Sequence, residues 1–470
     1  MLKKIKLSSY VVLMSLVNLV LYQYPFFTFV LNTSNSKSVN GVLLLLSLIV
    51  ASLVLNALVF YIGLYVLRIV GKWLLALLFH ISAIAVYFIN SYGVIIDRTM
   101  IGNVLNTDYD ESTSFLSFGI LLYIVFLGIL PSLLLFKFEI IRPTFKRFLI
   151  HSVSTLLFLG LFVFVNSSNW LWIDKNSKTL GALVMPWSYV VNTCRHYSHL
   201  NKKNEKQILL PDATIRNDEK SVAVLVIGES ARSSNFSLYG YEKNTNPLLS
   251  QIEGLKHFKA ESCATYTTAG LKCILEHKNT SKLYEILPNY LYRNDVEVIW
   301  KTTNWGEPKV SIENFQNKNS LRTDCEGDNC DYDGILLNGL KEQILASKKN
   351  KILVVLHTST SHGPTYYKKY PKQFEKFTPV CKSVELANCT QQELINAYDN
   401  TILYTDYILA TLIDELKELK EYNSTMIYIS DHGESLGESN LYMHGIPVSF
   451  APKEQLDIPF IIWTSDNSKK

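Results

Sequence analysis

The chain has 470 residues, room for two or three domains. Hydrophobic residues make up 48% and are concentrated in the first third, which excludes a wholly soluble protein, and a net charge of +4 is too small to suggest nucleic acid as a partner. Six of the seven cysteines fall in close pairs beyond residue 262 (Cys263 and Cys273, Cys325 and Cys330, Cys381 and Cys389), and only Cys194 precedes them. None of these pairs has the CxxC spacing of a zinc knuckle, so the pattern predicts three small disulfides in an oxidising compartment.

Residues 1–170 read as a transmembrane domain. Apolar runs of roughly 20 residues, the length that crosses a bilayer core, lie at Ser9–Leu31, Val42–Leu67, Trp73–Tyr92, Leu116–Phe136 and Phe148–Val165. The first lacks a small-residue cleavage site and is followed by further spans, so it is read as retained. Lys3, Lys4 and Lys6 precede it; Arg68 and Lys72, then Lys137, Arg142, Lys146 and Arg147, occupy alternate loops. The Asn32–Asn40 loop carries only Lys37, and Ser91–Phe115 is net acidic. By the positive-inside rule the amino terminus is cytoplasmic and everything after the fifth span lies outside, with Trp170 and Trp172 at the interface. Asn18, Asn56 and His80 are polar within spans; helix–helix hydrogen bonding is the expected role. Thr99, Met100, Val104 and Leu105 fit a short amphipathic helix on the outer surface, either purely structural or in contact with a lipid substrate.

Residues 171–220 form a bridge, helical over Leu180–Leu200 and then a polar linker. From Ser221 onward short apolar strands (Val222–Ile227, Val296–Trp300, Lys351–His357, Met426–Ser430, Ile458–Trp463) alternate with helical stretches (Ile335–Lys348, Gln391–Lys420). That alternation predicts an α/β domain over 221–470 with a largely parallel sheet.

Acid and imidazole side chains recur where strands end. Glu229 follows the first strand, His357 and His362 the third, and Asp431 and His432 the fourth; His444 comes later. Singly, each is an ordinary capping or turn residue. Together they have the donor chemistry of a zinc site, which a hydroxyl can complete. The threonine-rich loop Cys263–Cys273 offers a nucleophile, but composition does not choose among Thr265, Thr267 and Thr268.

The ordered motifs TMIGNVLNTD (99–108), IGESAR (227–232), SHGPTYYKKYP (361–371), DHGESLGE (431–438), YMHGIP (442–447) and APKEQ (451–455) resemble the membrane-bound phosphoethanolamine transferases of Gram-negative bacteria. That family, within the alkaline phosphatase/sulfatase superfamily, includes the lipid A-modifying and mobile colistin-resistance enzymes. The resemblance implies a five-helix transmembrane domain plus a periplasmic sulfatase-like α/β domain, in the bacterial inner membrane. It implies Glu229, Thr267, Asp431 and His432 as ligands of one tightly bound Zn²⁺, with room for a second ion, and Thr267 as the nucleophile. His362 and His444 would assist catalysis and phosphate binding, and His357, Asn304 and Lys309 would serve in substrate binding. The three cysteine pairs match family disulfides.

The implied reaction moves phosphoethanolamine from phosphatidylethanolamine to lipid A or another envelope acceptor through a phosphoethanolamine-threonine intermediate. Polymyxin resistance would follow, and the protein would be a monomer. A phosphoglycerol transferase of the lipoteichoic-acid-synthase type, transfer to a glycan or protein, and a membrane sensor carrying a dead transferase domain are the alternatives. Family members continue with further helix and strand beyond the strand Ile458–Trp463, which implies either a carboxyl-terminal truncation here or a sheet that closes differently.

Overall fold

The computed structural model describes residues 3–34, 39–107, 112–113, 115–165, 170–203, 207–278, 280, 282–323 and 325–465. Lys37, Lys470 and the side chain of Trp170 lie outside the described residues. The chain divides into two units, Met1–Leu105 with Leu116–His199, and Asn106–Phe115 with Leu200–Lys470.

The first unit is helical. Strand β1 (Lys3–Lys6) leads into α1 (Leu7–Tyr22), α2 (Tyr24–Thr33), α3 (Val39–Leu67), α4 (Ile69–Tyr92), α5 (Arg98–Asn106) and α6 (Phe118–Phe136). Strand β2 (Phe138–Ile141), parallel to β1, precedes α7 (Phe145–Val165), and α8 (Trp187–Lys203) closes the series. Helices α3, α4, α6 and α7 are long and apolar enough to cross a membrane; the α1–α2 pair makes a fifth if it counts as one span. Only 17% of the most apolar stretch of α3 and 11% of that of α7 is buried. Apolar side chains left facing outward in such numbers require a hydrocarbon solvent rather than water.

The expected first span is therefore not a straight helix: it bends by 63° at Gln23. Pro25 cannot donate a backbone N–H to the preceding turn, and the buried Gln23 side chain substitutes contacts of its own. Its Nε2 donates to Asn18 Oδ1 at 2.8 Å and to the Met185 carbonyl. Asn56 Nδ2 donates to the same Asn18 oxygen at 3.0 Å, and Trp187 Nε1 donates to Asn56 Oδ1 at 2.7 Å. His80 Nδ1 pairs with the Ala76 carbonyl at 2.8 Å and lies 3.4 Å from Ser132 Oγ of α6. The polar residues of the spans thus serve as helix–helix links. Helix α5 covers the predicted amphipathic segment; Asp97 Oδ1 caps it, accepting from the Thr99 and Met100 amides at 2.9 and 2.8 Å. The bridging helix expected over Leu180–Leu200 breaks between Leu183 and Trp187, where Pro186 intervenes.

The second unit is built on a seven-stranded sheet. Its strands are β3 (Ser221–Gly228), β4 (Lys256–Glu261), β5 (Glu297–Thr302), β6 (Asn314–Gln316), β7 (Lys351–His357), β8 (Asn423–Ser430) and β9 (Asp457–Thr464), in the order β4-β9-β8-β3-β7-β5-β6. The run from β8 to β6 is parallel, and β9 is antiparallel to both of its neighbours. The central strands are near-continuous Val, Leu and Ile because both faces are covered: Val224, Val226, Val354, Val355 and Leu356 are buried. Two strands carry no such signal. β4 reads KHFKAE, an edge strand mostly open to solvent, and β6 is three residues long. The helix expected over Ile335–Lys348 is split into a 3₁₀ turn, Asp333–Leu337, and a short helix, Leu340–Ala346, by the left-handed Gly339 (φ 64°).

Register decides what the sheet presents. Ile227 pairs with His357 and Gly228 with Ser430, so Glu229, Thr358 and Asp431 leave β3, β7 and β8 at one end of the sheet. Two helices complete that end: α9 (Thr267–Leu275) and α10 (Gln391–Glu418), which opens with a Thr390–Glu393 capping box.

Candidate active site

Glu229 sits at the carboxyl end of the central strand, and the residue after it is strained to place it. Ser230 has φ 53°, a left-handed conformation that costs a non-glycine residue energy. Its amide donates to Asp431 Oδ1 at 3.1 Å, its carbonyl accepts from Tyr398 Oη of α10 at 2.7 Å, and its hydroxyl donates to Glu229 Oε1 at 2.7 Å. Bonds to the end of β8 and to α10, with a third to the adjacent Glu229, hold the turn in place.

Thr267 is the first residue of α9 and is buried. Its hydroxyl lies 3.2 Å from Glu229 Oε2 and 3.5 Å from His432 Nε2. The structure separates it from Thr265, whose hydroxyl is committed to the Ile446 carbonyl at 2.6 Å, while the methyls of Thr267 and Thr268 both lie beside Gly306. His432 Nε2 is 3.4 Å from Glu229 Oε1 and 3.4 Å from Asp431 Oδ2. His432 Nδ1 lies 2.8 Å from the Gly433 carbonyl, which assigns that nitrogen the proton and leaves Nε2 as the lone-pair donor facing the acids.

These four side chains fit a metal ion. Asp431 Oδ1 is satisfied by two backbone amides, while Asp431 Oδ2 is buried without a hydrogen-bond partner. A buried, unsatisfied carboxylate oxygen is costly, and here it faces an imidazole lone pair, a second carboxylate and a hydroxyl, a donor set suited to zinc. The electrostatics agree. Burial pushes the Asp431 carboxyl up and the Glu229 charge adds to it. Burial also opposes ionisation of Glu229, but His432 outweighs it and holds that carboxyl well below its usual range. His432 is itself driven up to about 10, Asp431 and Glu229 overcoming its desolvation. Two buried acids crowded against one imidazole compete for protons, an arrangement a divalent cation relieves.

Around this core lie two further histidines. The His444 ring is 4.4 Å, centroid to centroid, from that of His432 and 5.4 Å from that of His362. His444 Nδ1 is 3.4 Å from both Ser230 Oγ and Glu434 Oε2. Burial first, and the positive charge of His432 second, drive His444 down to about 3. A metal ion could draw on Glu229, His432 and His444 as well, whose donor atoms lie within 4.8 Å of one another. His362 borders a cavity of about 320 Å³, with Asn304, Trp305, Lys318, Lys368 and Thr113 also on its walls.

The remaining expected residues divide. Asn304 is at the cavity, yet its amide Nδ2 donates to Glu229 Oε2 at 2.7 Å. His357, expected to bind substrate, is instead fully buried behind Asn304, because it is the last residue of an interior strand. Lys309 is exposed, its carbonyl accepting from Asn289 Nδ2 at 2.9 Å. Three cysteine pairs, Cys263–Cys273, Cys325–Cys330 and Cys381–Cys389, are bonded, and Cys194 is free and exposed. Glu434 and Ser230 were not singled out by sequence reasoning, although both stand inside motifs already noted; nothing in their spacing shows that they converge on His444.

Close packing of α9 on β8 makes one substitution diagnostic. A Cβ on Gly270 would stand 2.5 Å from the Asp431 carbonyl oxygen, so alanine there must push the Thr267 helix away from the strand end that carries Asp431 and His432. Gly270→Ala is expected to cut activity by about 100-fold through a displacement on the order of 1 Å, measured as catalytic turnover.

A threonine at a helix start, facing carboxylates and imidazoles at the carboxyl end of a mostly parallel sheet, defines a member of the alkaline phosphatase/sulfatase superfamily, and residues 221–470 match the Sulfatase family. Residues 53–200 match a second family, Phosphoethanolamine transferase EptA/EptB. The chain is 39% identical over 466 residues to phosphoethanolamine transferase EptA of Helicobacter pylori, covering 97% of this chain and 87% of that one. It is 33% identical over 431 residues to phosphatidylethanolamine transferase Mcr-1 of Escherichia coli, covering 84% and 79%. The solved structure of the integral membrane lipooligosaccharide phosphoethanolamine transferase A (EptA) from Neisseria meningitidis matches with a TM-score of 0.86 at 28% identity, over 99% of this chain and 90% of that one. The chain belongs to the phosphoethanolamine transferase family.

Proposed function

We propose that this protein transfers phosphoethanolamine from phosphatidylethanolamine to a phosphate of lipid A, from the periplasmic face of the inner membrane, through a phosphoethanolamine-threonine intermediate. The observation that carries the reading is the convergence of the Thr267 hydroxyl with Glu229 and His432 at the strand ends. The relatives named for this chemistry, among them a Kdo(2)-lipid A phosphoethanolamine 7''-transferase of Escherichia coli at 26% identity over 426 residues, support the donor and acceptor classes.

Glu229, Thr267, Asp431 and His432 would hold a zinc ion. When bound, it supplies Lewis-acid stabilisation of charge on phosphoryl oxygens and lowers the pKa of a ligated hydroxyl. The chain's own groups do the rest. Thr267 Oγ1 attacks phosphorus, and its proton passes toward Glu229 Oε2, which already accepts its hydrogen bond. The start of α9 presents backbone N–H groups to the phosphoryl oxygens. The P–O bond to diacylglycerol breaks, and His362, on the cavity wall, protonates the leaving oxygen. An acceptor phosphate oxygen then attacks the threonine-bound phosphorus, displacing Thr267, and the threonine regains its proton.

Mass spectrometry of lipid A from cells with and without the gene tests the reading. Added phosphoethanolamine and reduced polymyxin sensitivity are expected, because the new amine offsets phosphate charge that attracts cationic peptides. Unmodified lipid A alongside donor turnover would move the acceptor to another envelope component.

A further inference from the structure

We propose that His357 is a positioning residue of the metal site, acting through Asn304 to hold the Glu229 carboxylate. The inference rests on the reading of Glu229 as a metal ligand.

His357 ends β7, between β3 and β5, and no part of it reaches solvent. It cannot touch a substrate, yet it lies one side chain away from Glu229. Asn304 Nδ2 is 3.2 Å from His357 Nε2, 2.7 Å from Glu229 Oε2 and 2.8 Å from the Thr358 carbonyl. Asn304 Oδ1 accepts from the Trp305 amide at 2.9 Å, which settles the amide's orientation: its NH₂ group faces Glu229. With NH₂ on that side, His357 Nε2 must be the unprotonated nitrogen, since two donors would otherwise meet head on. Its proton then sits on Nδ1, 3.3 Å from Thr302 Oγ1. Thr302 Oγ1 also accepts from the Asn304 amide at 3.0 Å and donates to the Asn304 carbonyl at 3.0 Å. The Asn304 NH₂ has two hydrogens for three acceptors, so Glu229 and Thr358 take the shorter bonds and His357 Nε2, at 3.2 Å, is the longest contact; the chain Thr302–His357–Asn304–Glu229 runs across three adjacent strands from β5 to β3.

The role needs a rigid group that donates at one end and accepts at the other while remaining uncharged. Imidazole meets it. Burial drives His357 down to about 4, against the opposing charges of Glu229 and Asp333, so it stays neutral at physiological pH. Asn304 in turn occupies one lobe of Glu229 Oε2, beside the Thr267 hydroxyl, and Ser230 restrains Oε1. Without His357 the Asn304 amide loses one of the contacts that fix its plane, and the carboxylate loses orientation rather than charge.

The test uses full-length protein in detergent, with zinc affinity measured by chelator competition. His357→Phe, which keeps bulk and removes both nitrogens, is expected to weaken zinc binding ~10–100-fold, the usual consequence of losing an outer partner. His357→Gln, which can still accept from Asn304 and donate to Thr302, is expected to recover most of that affinity. A His357→Phe/Asn304→Leu double variant is expected to be no worse than Asn304→Leu alone, because both remove the same restraint. Wild-type affinity in His357→Phe, or additive losses in the double variant, would overturn the proposal; absence of zinc from the wild-type protein would instead overturn the metal reading beneath it. If His357→Phe does not fold, the His357→Gln and Asn304→Leu pair decides: an affinity of His357→Gln as poor as that of Asn304→Leu would sink the relay.

Discussion

Replacing Thr267 with alanine is expected to reduce transfer by at least roughly 10³-fold and to abolish the covalent adduct, the scale seen when a nucleophile that works as part of a unit is removed. Thr265 is bonded to the Ile446 carbonyl, whereas the Thr267 hydroxyl faces Glu229 and His432. Thr267→Ser separates the hydroxyl from its positioning. Serine keeps the oxygen but loses the methyl that packs toward Gly306, and with it the stiff χ1 of a β-branched side chain. A loss of about 10–100-fold is expected, consistent with a nucleophile displaced by a fraction of an ångström. Acid quenching of protein incubated with phosphatidylethanolamine, followed by peptide mass spectrometry, checks both variants. Phosphoethanolamine found on another residue of Thr267→Ala would remove Thr267 from its role.

Much of the site was legible in the residues because strand ends are. A buried parallel strand reads as an apolar run, and the first charged residue after it is delivered to the sheet's carboxyl edge; Glu229 and Asp431 were found that way. The long helix α10 was legible from its periodicity over Gln391–Glu418. What escaped was set by distant contacts. The bend at Gln23 depends on Asn18 and on a carbonyl 162 residues away. The edge strand β4 has no buried face and hence no pattern to read. The choice of Thr267 over its neighbours came from family resemblance; physically it depends on which hydroxyl the fold brings to Glu229 and His432. His357 misled for the same reason. A histidine after a strand looks available, and only the register with β3 and β5 shows that it lies behind Asn304.

Asp431→Asn carries the sharpest consequence for the metal. In the metal-free site His432 is driven up to about 10, with Asp431 the strongest attractive charge upon it and Glu229 the next. Zinc needs the Nε2 lone pair, so binding must expel that proton. The sign follows directly. Below the range in which His432 and Asp431 give up their protons, those protons compete with the metal, and zinc affinity is expected to rise with pH through the neutral range. Asp431→Asn acts on both terms. It replaces the unsatisfied buried carboxylate oxygen with a neutral amide, removing one of the proposed ligand atoms, and it lets His432 titrate lower. At neutral pH the loss of affinity should exceed the ~10–100-fold expected for an outer partner such as His357, while the slope of affinity against pH flattens. Chelator competition between pH 6 and 8, with proton release followed by calorimetry in buffers of different ionisation enthalpy, measures both quantities. A variant whose affinity falls with the wild-type slope intact would show that His432 is not held protonated by Asp431, and that the two carboxylates do not form one electrostatic unit around the imidazole.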